Sequence, residues 1–138
     1  MGKADDIHRG LAKIVDFIVL GLLSRTDPFY GVLAGALYIL IGDGLFTGQS
    51  LGKKLFKLKV LVSDEESKQR VCSFRDSIIR NLPFGLLAVL TAVPVLGVFF
   101  FFVGLLYVAA ELYFIFIDER GIRIGDIYAQ TQVVNEEK

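Results

Sequence analysis

The sequence predicts an all-α membrane protein built from four short transmembrane helices. Three observations lead there: apolar residues dominate, they gather into runs that suit a bilayer, and basic residues lie almost wholly to one side of those runs. Hydrophobic residues make up 54% of the 138, and the mean hydropathy of +0.57 is above that of ordinary soluble domains. Formal net charge is zero, so the placement of charge carries more information than its sum. The length suits one domain, 1–138.

The first span runs from Ile7 to Leu23. It is short, like the apolar part of a signal peptide. However, it contains Asp16 and is followed by Ser24-Arg25-Thr26-Asp27-Pro28 rather than by a small-residue cleavage site, which predicts a retained segment. The proline in that polar break stops the helix, and the second span follows from Phe29 to Phe46. After a polar loop, 47–81, the chain is apolar from Leu82 to Ile117. One helix of that length would measure about 54 Å against a hydrocarbon core of about 30 Å. A hairpin turning near Val93–Gly97, at Pro94 and Gly97, divides it into spans of about 82–95 and 97–117. Such short spans imply a thin membrane, or helix ends completed by flanking residues.

Four spans place the N-terminus, the loop 47–81 and the tail 118–138 on one side. Those segments, with the first half of the first span, hold 14 of the 15 basic residues, Arg25 being the other. The positive-inside rule then puts both termini in the cytoplasm, with the bilayer being a bacterial or archaeal cell (inner) membrane. Shorter apolar runs also occur as buried helices of soluble proteins, but here they leave too little polar surface to dissolve the chain.

A lone cysteine, Cys72, and a lone histidine, His8, exclude an internal disulfide, a thiolate metal site and a zinc or haem centre. No nucleophile–base pair or metal-ligand spacing is visible, so neither an enzyme nor a cofactor is expected. Nothing points to nucleic acid.

Charged residues inside the spans are the candidates for function. Arg9, Lys13 and Asp16 share one face of the first helix at i, i+4 and i+7. Asp16 lies about 10 Å deeper than Arg9, so its carboxyl group must be paired, protonated or facing a wet cavity. Lys13 is its nearest partner in sequence. The trio reads either as an ion or proton site or as a structural ion pair. In the second span Gly31-Val-Leu-Ala-Gly35 begins a stripe continued by Tyr38 and Gly42, which lets helix backbones approach closely. Packing within the chain is favoured over a dimer seam, because three other spans need contact. Asp43, in the last turn, is expected to be hydrated at the cytoplasmic interface. In the fourth span Gly97, Gly104, Tyr107, Glu111 and Asp118 form one stripe. Glu111, about 9 Å inside the cytoplasmic end, is expected to share a polar interior with Asp16.

Gly48-Gln-Ser-Leu-Gly52-Lys53-Lys54 looks faintly like a phosphate loop. It lacks the full pattern and a preceding strand, which argues against nucleotide. From Leu55 to Val62 lysines alternate with apolar residues, as in an interfacial segment leading into a strand. Lys53, Lys54, Lys57 and Lys59 are expected near anionic lipid headgroups, as a topology anchor or a lipid site. Asp64–Ser67 reads as an exposed turn. Arg75, Asp76 and Arg80 fall on an amphipathic helix entering the third span. Thr131–Val134 has strand character and is predicted to pair with Lys59–Val62 as a small two-stranded element.

Three segments in this order resemble the RDD family of small membrane proteins, whose name refers to an arginine and two aspartates. They are Arg9-Gly-Leu-Ala-Lys-Ile-Val-Asp16, the glycine-lysine loop Thr47 to Val60, and the closing segment Arg123-Ile-Gly-Asp126 through Val134. Gln130 stands where the family pattern has a small residue, usually glycine. The resemblance implies a membrane protein of unknown function, with transport the suspected activity. Two functions follow. One is transport of a small cation (a monovalent ion or proton) or a proton-coupled solute, with Arg9, Asp16 and Asp126 as the polar core and Lys13, Asp43 and Glu111 around it. Four short helices enclose little, so a transporter would be a homo-oligomer. The other is a scaffold, lipid-binding or partner-binding module in which the same three residues lock the first helix to the tail. The second draws on the absence of a polar route outward: the outer halves offer only Arg25, Thr26, Asp27 and Thr91.

Overall fold

A computed structural model describes residues 4–63 and 69–136. The turn expected at Asp64–Ser67 lies outside the described residues. Four long helices are α1 (Asp6–Ser24), α2 (Tyr30–Leu45), α4 (Phe74–Leu90) and α5 (Leu96–Ile117). Between and after them come two short helices, α3 (Leu51–Leu55) and α6 (Ile124–Ala129), and the strands β1 (Leu58–Ser63), β2 (Gln69–Val71) and β3 (Thr131–Asn135). Helix α2 packs against both α1 and α4, while α5 leans mainly on α4.

Helix α1 is amphipathic in the reverse sense to a helix in water. It exposes Ile7, Leu11, Ile14, Ile18 and Leu22, yet buries Arg9 and Asp16. In water that arrangement would desolvate charge while leaving apolar area wet, losing on both counts. In lipid it is the favourable one. Helix α5 carries the same message, burying only Gly97, Glu111 and Ile115 over its 22 residues. Among the described residues it is the one helix long and apolar enough to cross a membrane by length and composition, with mean hydropathy 2.2. Helix α2 is apolar but shorter, at 16 residues.

Gly31 and Gly35 of α2 face α1, whereas Gly42 faces Ser50 and Gly44 faces Phe74 at the start of α4. A Cβ on Gly31 would meet the Leu23 carbonyl oxygen, and one on Gly35 would sit 3.1 Å from Leu20. The stripe therefore seats α2 against α1 within the chain. Helix α4 begins earlier than the predicted third span. Ser73 and Asp76 form a capping box at its start, so the amphipathic segment and the apolar segment are one helix, which ends at Leu90. The hairpin turn occupies residues 91–95, within and just before the predicted stretch. There Val95 adopts φ +69°.

The sheet has three antiparallel strands in the order β2-β1-β3. Lys59 pairs with Val134 and Val62 with Thr131, the pairing anticipated from strand character. The third strand, β2, is an addition: three exposed residues carry no alternation to mark them. Leu58, Val60, Val133 and Cys72 are buried together with Ala4 and Ala12. The sheet is thus fastened to the start of α1. Gln130 caps α6 in the left-handed region, at φ 51° and ψ 42°, which is why a glycine is favoured at that position.

Candidate functional site

The sheet, α3 and α6 close over one end of the helices, and nearly all the buried charge collects there. Asp126 is the hub. It is 1% exposed and meets three guanidinium groups: Arg80 Nη2 at 2.5 Å, Arg123 Nε at 3.3 Å and Arg9 Nη2 at 3.4 Å. Thr131 Oγ1 donates to it from 3.1 Å, and Arg9 also donates to the Gly121 carbonyl. Burial alone would raise the Asp126 pKa, but Arg123, Arg80 and Arg9 overcome it and hold the carboxyl group well below the usual range. Gly125 makes this packing possible, since a Cβ there would meet the Arg80 carbonyl oxygen. Arg9 and Asp126, the arginine and second aspartate expected from the resemblance, are therefore in contact, although 117 residues separate them.

Arg80 is fully buried and links Asp126 to Asp43, whose Oδ2 lies 3.6 Å from its Nε. The ion pairs are close, yet none of its guanidinium nitrogens is aligned for a hydrogen bond. Asp43 is 2% exposed, not hydrated at the interface as expected. Lys53 and Arg80 neutralise it, and Asn81 Nδ2 donates to it from 3.2 Å. Its depth follows from Ser77, which accepts from the Asp43 N–H at 3.2 Å and donates to the Leu40 carbonyl at 2.6 Å, tying α2 to α4.

Asp16 has different partners from the lysine predicted for it. Tyr38 Oη and Ser50 Oγ each donate from 2.6 Å, and the Gly52 N–H donates from 3.0 Å. The segment that resembled a phosphate loop thus wraps a carboxylate of its own chain. It does so with the same device, a backbone N–H and a hydroxyl at the start of a short helix. Gly52 is required because a Cβ would meet the Ala12 carbonyl oxygen.

Glu111 accepts from Tyr107 Oη at 2.9 Å and from the Gly125 N–H at 3.3 Å, and it pairs with Arg123 at 3.4 Å. It does not share an interior with Asp16. The two carboxylates border separate small cavities, and Lys13 lines both. Among the described residues Lys13 forms no ion pair. Its Nζ instead lies 4.2 Å from the centre of the Phe84 ring and 5.3 Å from that of Phe17, a cation–π arrangement.

The four loop lysines separate. Lys53 is buried against Asp43 and does not face headgroups, because α3 turns its first half inward to reach Asp16. Burial lowers its pKa, with Asp43 opposing. Lys54 and Lys57 are exposed, the former with Nζ 4.3 Å from the centre of the Phe46 ring, and Lys59 is half-buried on β1. Arg80 and Arg123 were not among the predicted site residues. A signal for Arg80 exists in the sequence, since Ser77, Arg80, Asn81 and Phe84 fall at i, i+3, i+4 and i+7. That polar face turns inward rather than to solvent.

The profile of the RDD family matches residues 26–130. The chain belongs to the RDD family. The match spans the glycine-lysine loop, α4, α5 and Asp126 but starts beyond Arg9 and Asp16, so it is the structure that joins these two to the RDD core. No characterised protein and no solved structure matches the chain. Membership, together with the apolar α5, makes this RDD chain a membrane protein.

Proposed function

We propose that this RDD protein crosses the cell (inner) membrane of a bacterium or archaeon four times, with both ends cytoplasmic, and transports a small ion or a proton-coupled solute. Helices α1, α2, α4 and α5 are the spans. The charge cluster at their cytoplasmic end is the binding site, and the exposed Lys54 and Lys57 lie among headgroups. Lys13 carries the proposal. It is an ammonium group on a lipid-facing helix, bordering two cavities, with no ion pair among the described residues. Ionisable groups inside a membrane are costly and are retained at ion and proton pathways. At Asp43, Glu111 and Asp126 a monovalent cation reaches the carboxylate only by displacing a tethered ammonium or guanidinium group, whereas Asp16 is held by neutral donors alone. Because four short helices enclose so little, the transporting unit is a homo-oligomer.

Flux in proteoliposomes under imposed ion and pH gradients tests this. Wild type should conduct, and Asp16→Asn and Lys13→Met should lose flux while remaining monodisperse and folded. Absence of flux under every gradient would sink the transport reading.

A second reading has its own observation. Asp126 ties α1, α4 and α6 together through Arg9, Arg80 and Arg123, as a lock would in a non-transporting module. In that case Asp126→Asn unfolds the protein, and no variant alters a flux.

A further inference from the structure

We infer that the larger of the two cavities that Lys13 lines is a binding site for one small monovalent anion of halide size. The cavity is lined by Arg9, Lys13, Lys53, Arg80 and Arg123, with Glu111 the one carboxylate among the lining residues. Its volume of about 40 Å³ holds about three or four waters, taking about 10–15 Å³ for each. A single halide fits that space; a phosphate group carrying a lipid does not.

The charges point the same way. Asp126 and Asp43 neutralise their arginine and lysine partners from outside this cavity, since neither lines it. Arg80 is fully buried, and its Nη1 has no hydrogen-bond partner. Lys13 lines the cavity without an ion pair among the described residues. Unused N–H donors on two cations are the ordinary makings of an anion site, because charge-assisted hydrogen bonds are the strong ones. Glu111 sits on the same cavity and opposes the anion, so its charge sets the affinity.

This inference does not rest on transport, since an anion held in a structural lock would serve equally. The test is equilibrium binding of chloride and bromide to the full chain in detergent, by calorimetry and by chlorine NMR line broadening. Gluconate salts hold ionic strength constant. Saturable one-to-one halide binding is expected, weakened about tenfold or more in Lys13→Met, by the loss of one charge-assisted partner. Glu111→Gln should tighten it several-fold. No saturable binding by wild type would overturn the inference, as would binding of sulfate or of anionic-lipid headgroups in preference to halide. Equal affinity in wild type and Glu111→Gln would overturn it as well, and that variant serves if Lys13→Met does not fold.

Discussion

Asp126 concentrates on one carboxylate the attraction of three arginines that come from three segments of the chain. Replacing it with asparagine leaves three buried cations without their common partner. Removal of one member of a buried pair costs about 3–5 kcal/mol, so Asp126→Asn should lower unfolding stability in detergent by at least that much. A loss under 1 kcal/mol would contradict the network. The sign of the pH dependence follows from the depressed pKa of Asp126 in the folded state. Its contribution is complete above the unfolded value of about 4 and disappears as pH falls further. The asparagine variant should lack that acid-side loss. Sequence spacing was enough to place Arg9 and Asp16 on the inner face of α1. It misplaced Lys53 and Asp43, because a lysine in a lysine-rich loop and an aspartate at a helix end both look like surface residues. The burial of Lys53 depends on α3 folding back onto α1 and that of Asp43 on Ser77 joining α2 to α4, contacts that local pattern does not encode.

At the scale of elements, α3 is the piece that turns a loop into part of the site. Its approach to α1 is close enough that Gly52 admits no side chain, the Ala12 carbonyl occupying the place of a Cβ. Gly52→Ala should therefore cost about 1–3 kcal/mol and loosen the grip on Asp16. Gly21→Ala, where nothing lies within 4 Å, should instead gain up to about 1 kcal/mol of helix propensity. Thermal unfolding of the pair checks both signs; equal effects would mean that α3 does not pack as described. The β1–β3 pairing was legible because lysines alternate with apolar residues leading into β1 and Thr131–Val134 favours strand. The amphipathic helix expected to enter the third span was legible too, and α4 carries Arg75, Asp76 and Arg80 into the apolar stretch without a break.

The whole molecule has its charge inside and its apolar surface outside, with the small sheet as a cap on one end. Composition and run lengths made that much visible from the start. What they left open was the depth of the cluster, which depends on six helices meeting, α1 to α6. The central claim is that four helices cross the membrane and that the capped, charged end faces the cytoplasm. Labelling of single cysteines with a membrane-impermeant maleimide tests it, in a Cys72→Ala background. Native Cys72 is buried, with its thiol pushed up to about 11, so its removal mainly clears the background. Cysteines placed at Thr26 and Ala92, in the two turns away from the sheet, should label from outside intact cells. Cysteines at Glu119 and Asn135 should label only after permeabilisation. Labelling of Thr26 and Glu119 positions from the same side would contradict the account.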